Sequence, residues 1–144
     1  MEKIILKKAS LNLYPHNAGA NIQADIRAEY GENPKADNKR GGADIVISGK
    51  AYQIKSNRAT LCRGLNIDNI RAEYATADGF IFADIETRAL YFMNTNEFIK
   101  FARIFAEASK ESTKNGGAEK LRLNRNFKGQ RAYLDARIPR GWLW

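Results

Sequence analysis

Three side chains with complementary chemistry lie within one short stretch: Asp44, Gln53 and Lys55. A carboxylate is a hard oxygen donor suited to a divalent cation such as Mg²⁺. An amine beside the carboxylate can orient a water molecule or help to deprotonate it. Upstream, Asp25 and Glu29 each sit one position before an apolar residue, Ile26 and Tyr30. Carboxylates so placed flank the buried stripe of a helix and can look toward a sheet rather than solvent. Beside Asp44, such an acid would complete an oxygen site for a metal.

Two runs with strand-like alternation, Asp44 to Ile47 and Lys50 to Ser56, surround Ser48-Gly49, a hairpin signal. A two-residue loop there pairs Ile47 with Lys50, Val46 with Ala51, Ile45 with Tyr52 and Asp44 with Gln53. Directly opposed residues have Cβ atoms about 5 Å apart. Lys55 shares the face of Gln53 because side chains alternate. Ile45, Ile47, Tyr52 and Ile54 form the other, core-facing side. A three-residue loop would shift the register and scatter the polar groups over both faces. The bland alternative is a solvated hairpin face with ordinary cross-strand polar pairs.

The first acid-bearing segment reads as a helix over 18–30, capped by Asn17, with Ile22, Ile26 and Tyr30 inward, stopped by Gly31. Residues 1–13 are extended or ambiguous, and 31–42 form a polar loop rich in breakers. A helix is expected over 66–77, capped by Asn66 or Asp68, with Ile67, Ile70 and Tyr74 inward. Strands follow over 79–85 and 89–93. Phe98, Phe101, Ile104, Phe105 and Ala108 mark an amphipathic helix over 95–109. After Asn115-Gly116-Gly117, residues 121–123 suggest a short strand, and Phe127, Arg131, Leu134 and Ile138 a last helix ending near Pro139. The whole predicts one α+β domain spanning 1–144.

Asp44, then Gln53-Ile54-Lys55 on the adjacent strand, after a helix bearing an acid, resembles the PD-(D/E)xK nuclease superfamily, in the Gln-containing variant of Mrr-type restriction endonucleases. The resemblance implies a restriction-endonuclease-like αβββαβ core over about 18–94, a mixed sheet flanked by helices. Residues 95–144 are then a C-terminal basic helical extension outside the resemblance. It further implies Asp44, Gln53, the Ile54 carbonyl and Glu29 as ligands of Mg²⁺ (or Mn²⁺), and Lys55 as the group that positions the attacking water. Ala43 stands where the motif has Pro, Gln53 is neutral, and no clear strand lies between Glu29 and Asp44. Asp37-Asn38-Lys39, behind Pro34, matches the motif's letters better. It lies in a loop without apolar alternation, which cannot fix three groups on one face.

The balance of charge agrees with a polyanionic partner. Among 144 residues, 24 Lys and Arg face 16 Asp and Glu, a net charge of +8. Phosphate contacts with counterion release make DNA the expected partner. Lys35, Lys39 and Arg40, with Arg58 and Arg63, would ring the site. Arg125, Lys128 and Arg131 belong to a basic tail in which Phe127 and Tyr133 are interleaved. Trp142 and Trp144 can stack on bases or dock onto the domain or a second subunit.

One cysteine and one histidine exclude a disulfide framework and Cys-rich zinc sites. Cys62 is expected as a packing residue and His16 as a loop residue. No apolar run nears the roughly 18 residues of a spanning helix, and the N-terminus is no secretory signal. A cytoplasmic protein with no membrane partner is expected. The functional expectation is a Mg²⁺-dependent DNA endonuclease, a homodimer if both strands are cut. The alternative is a catalytically weak or inactive DNA-binding module on the same fold.

Overall fold

The computed structural model describes residues 2–6, 10–35, 43–110 and 117–137. In chain order these form β1 (Glu2–Ile5), α1 (Ala18–Glu29), β2 (Ile45–Ile47), β3 (Lys50–Ser56), β4 (Thr60–Arg63) and α2 (Asn69–Glu73). Then come β5 (Gly79–Ala83), β6 (Ala89–Asn94), α3 (Thr95–Phe105), β7 (Ala106–Lys110), β8 (Glu119–Leu123) and α4 (Phe127–Asp135). The class is α+β.

Five strands make the main sheet in the order β1-β6-β5-β3-β2, and three more a second sheet, β4-β8-β7. The hairpin has the expected register, with Ile45 opposite Tyr52 and Ile47 opposite Lys50. Ser48 and Gly49 carry φ of 51° and 79°, the left-handed pair that a two-residue loop needs to match strand twist. Among the described strands only β3 and β5 pair in parallel. Parallel neighbours need a long crossover, and β4 with α2 supplies it.

The main sheet separates two apolar clusters, and register decides which side each site residue takes. Gln53 and Lys55 align with Phe80 and Phe82, whereas Ile54 aligns with Ile81. Phe80 and Phe82 pack with Phe98, Phe101 and Phe105 of α3. Ile81 and Ile54 pack with Ile22 and Ile26 of α1 and with Ile45. All five residues of β5 are buried, as a strand covered on both faces requires. At its start a Cβ on Gly79 would lie 2.6 Å from the Met93 carbonyl oxygen, so close strand approach demands glycine there.

Several expected boundaries change. α3 starts with an Asn94–Glu97 capping box but ends at Phe105, not at 109. Residues 106–110 instead pair with β8, where Glu107 meets Arg122 at 3.1 Å. The helix expected over 66–77 is reduced to five residues between turns. β4 was not foreseen at all. The segment after 94 is therefore not simply a helical extension. Its β7 and β8 form a sheet with β4, which leaves the chain between β3 and α2. From α1 to β5 the order reads αβββαβ, yet the third of these strands pairs in the second sheet.

Candidate active site

β2 covers β3 only as far as Tyr52, so the outer edge of β3 beyond that residue needs another partner. Asp44 supplies it. Its Oδ2 accepts the Ile54 N–H at 2.7 Å, continuing the ladder with a side chain. The N–H and C=O of one strand residue point to the same edge, so the Ile54 carbonyl faces the edge that Asp44 occupies. Arg27, from α1, donates through Nε to the Asp44 backbone oxygen at 3.1 Å, and its Nη2 lies 3.8 Å from Oδ1. Arg27 and Asp44 are 4% and 6% exposed.

Lys55 projects to the other side of the sheet, under β4 and α2. Its Nζ donates to the Thr60 carbonyl and to the Tyr74 hydroxyl, each at 2.6 Å. With 8% exposure it is a buried cation. Burial pulls its pKa from the ordinary 10.5 down to about 8, against the opposite pull of the Asp44 and Glu73 carboxylates and of Cys62. Glu73 accepts the Arg63 N–H at 2.6 Å. Burial, with the Glu73 charge, also pushes the Tyr74 hydroxyl well above its ordinary range. Gln53 is half-buried on the Lys55 side. This end of the hairpin is no solvated face.

The two helix acids divide. Asp25 is buried and committed, accepting the Leu11 N–H at 2.8 Å and pairing with Arg88 at 3.1 Å. Glu29, one turn later, is half-buried and keeps Oε2 buried without a hydrogen-bond partner among the described residues. A buried carboxylate oxygen in that state is costly unless a cation or donor joins it.

Sequence reasoning had not placed Arg27, Glu73 or Tyr74 in the site. The sequence pattern marks Tyr74 as an inward helix residue and nothing more. Nothing local distinguishes Arg27 from the chain's other arginines, since its partner is seventeen residues away.

The anticipated phosphate-binding groups fall in several places. Lys35 is exposed after α1, and Lys39 and Arg40 lie outside the described residues, as do Trp142 and Trp144. Arg63 is exposed at the end of β4, and Arg125 and Lys128 are exposed around the start of α4. Arg58 sits in the turn between β3 and β4. Arg131 is ion-paired to Asp84 through Nε and to Glu86 through Nη2 at 2.9 Å.

Among the described residues no group of three or more His, Cys, Asp or Glu is placed to hold a metal. The expected donor set has only two carboxylates, Asp44 and Glu29, completed by the Gln53 amide and the Ile54 carbonyl. All four are oxygen donors, the chemistry Mg²⁺ takes, and the buried Glu29 Oε2 has no hydrogen-bond partner among the described residues. No family model, curated protein or solved structure matches the chain. Among the described residues no helix is long and apolar enough to cross a membrane.

Proposed function

We propose that the protein is a Mg²⁺-dependent DNA nuclease on a restriction-endonuclease-like core, hydrolysing phosphodiester bonds at the edge of β3 beyond the hairpin. One observation carries the reading: the Asp44 carboxylate docks on the Ile54 N–H at the point where β2 stops, one residue before the buried Lys55. The two-residue hairpin loop, with Ile45 opposite Tyr52, supports the register on which that reading depends.

Asp44, Glu29, Gln53 and the Ile54 carbonyl would hold the metal (Mg²⁺ or Mn²⁺). When bound, it supplies Lewis-acid polarisation of the phosphodiester and stabilises developing negative charge. Arg27 fixes the Asp44 carboxylate by gripping its backbone oxygen. Lys55 has three N–H donors, of which Thr60 and Tyr74 take two. The third is left to orient the attacking water. Lys35, Lys39, Arg40, Arg63, Arg125 and Lys128 are assigned to the DNA backbone, whose phosphates a net charge of +8 attracts.

A specific observation favours the second reading, a DNA-binding module without cleavage. Arg27 and the Ile54 N–H already engage Asp44, and Thr60 and Tyr74 already engage Lys55, so both groups are held by the fold.

The test is cleavage of single-stranded, duplex and branched DNA with Mg²⁺ or Mn²⁺, by wild type and Asp44→Asn. The amide keeps an acceptor for the Ile54 N–H but removes the charge beside buried Arg27, so the variant's far-UV circular dichroism and urea unfolding are measured alongside. Cleavage by wild type, lost in the variant while DNA affinity is kept, is the expected result. Cleavage equal in both would remove Asp44 from the chemistry.

A further inference from the structure

Arg58 is held in two ways against its own preferences. In the turn closed by the Ala59 N–H to Ser56 carbonyl bond at 3.0 Å, it has φ of 61°, a conformation glycine or asparagine ordinarily takes. Its Nη1 is buried and finds no hydrogen-bond partner among the described residues. It also lines a cleft of about 330 Å³ whose other walls are Asn57, Ile85, Glu86, Phe127 and Arg131. Strain together with an unpaired cationic nitrogen points to a ligand rather than to stability.

The cleft's chemistry narrows the ligand. Asn57 accepts the Ile85 N–H at 2.7 Å through Oδ1, which fastens the β3–β4 turn to the β5–β6 turn and leaves the amide NH₂. Arg131 is divided between Asp84 and Glu86, so it is neutralised in place. The polar rim thus has donors on Arg58 and Asn57 and an acceptor on Glu86, between the apolar surfaces of Phe127 and Ile85. Inorganic phosphate has no apolar face for Phe127 and Ile85 and would bring its negative charge against the Glu86 carboxylate. A nucleobase offers a flat apolar face with acceptors and donors on its edge.

We propose that this cleft receives an unstacked nucleobase of the DNA strand, with Phe127 and Ile85 as apolar walls and the Arg58 guanidinium on its acceptor edge. Arg58 is three residues beyond Lys55, within about 10 Å of chain. The role beside a cleavage site rests on the nuclease reading, and it names the substrate class: DNA with an unpaired or extruded base close to the scissile phosphate.

Arg58→Gly is the informative variant, because glycine suits the φ of 61° and the fold should be as stable or more so. The full chain, without metal, is titrated with a short single-stranded oligonucleotide and with a fully paired duplex, using the four deoxynucleoside monophosphates and inorganic phosphate as competitors. Arg58→Gly and Phe127→Leu should each weaken single-strand binding about tenfold or more, with little change for duplex. Mononucleotides should displace the oligonucleotide far better than phosphate. Unchanged single-strand affinity in Arg58→Gly, equal losses on both DNA forms, or phosphate competing as well as nucleotides would each overturn the proposal. DNA cut by wild type with no effect of Arg58→Gly refutes the cleft alone. The expected binding losses with no DNA cut under Mg²⁺ or Mn²⁺ refute only the hydrolytic reading.

Discussion

Lys55 is an ammonium held in a site that resists its charge, and the consequence is a stability that rises with pH. In the unfolded chain it binds a proton up to its ordinary 10.5, whereas in the folded protein burial lowers that to about 8. Between these values the unfolded state carries more proton, so stability climbs as pH increases; below about 8 both states are charged and this contribution is flat. At about 1.4 kcal/mol per pH unit the full rise is about 3 kcal/mol, of which about 2 is reached by pH 9.5. Cys62 acts oppositely, since burial pushes its thiol above 9.0 and the folded state keeps that proton longer. Lys55→Met removes the titrating group and leaves Cys62 in place. Urea unfolding of the metal-free protein, followed by far-UV circular dichroism from pH 7 to 9.5, gives both curves. Wild type should gain about 2 kcal/mol on the variant over that interval. Parallel curves would refute the reasoning: Lys55 would then keep its proton in the fold as easily as in water.

Other consequences follow from the same contacts. Arg27→Met leaves the Asp44 carboxylate buried without its cation and should cost about 3 kcal/mol in urea unfolding. A loss below about 0.5 kcal/mol would show the pair to be unimportant to the fold. Replacing Lys35, Lys39 and Arg40 together with Ala should weaken binding to all DNA sequences and flatten the dependence of affinity on salt. An unchanged slope would take these residues off the phosphate backbone.

The hairpin was readable in the sequence because everything that fixes it is local. Ser48-Gly49 sets the turn, and apolar alternation in Ile45, Ile47, Tyr52 and Ile54 sets the buried face. α1, β5 and β6 were readable for similar reasons: a capping Asn17, a stripe of Ile22 and Ile26, and two apolar runs around a short turn. β4 and β7 were not, because each owes its existence to β8. Thr60–Arg63 pairs with residues some sixty positions away, and Ala106–Lys110 has no alternation that separates strand from helix. Pairing across the second sheet overrode the helical pattern that runs on past Phe105.

At the site the hairpin register was legible in the sequence, but what covers its side chains was not. The face of Gln53 and Lys55 looked polar from alternation alone, yet Tyr74 and Thr60 close over Lys55. Asp25 and Glu29 were equivalent by spacing. The contacts of Asp25 with the Leu11 N–H and with Arg88, sixty-three residues away, separate it from Glu29, whose Oε2 has no hydrogen-bond partner among the described residues.

The central claim is that Asp44 and Gln53 share a metal whose bound form cuts DNA. Its most direct test is the initial rate of DNA cleavage across a Mg²⁺ titration, wild type against Gln53→Glu. A carboxylate at 53 adds ligand charge, so the variant should reach half-maximal rate at a lower Mg²⁺ concentration with activity kept or raised. No cleavage by either protein with Mg²⁺ or Mn²⁺ would contradict the claim.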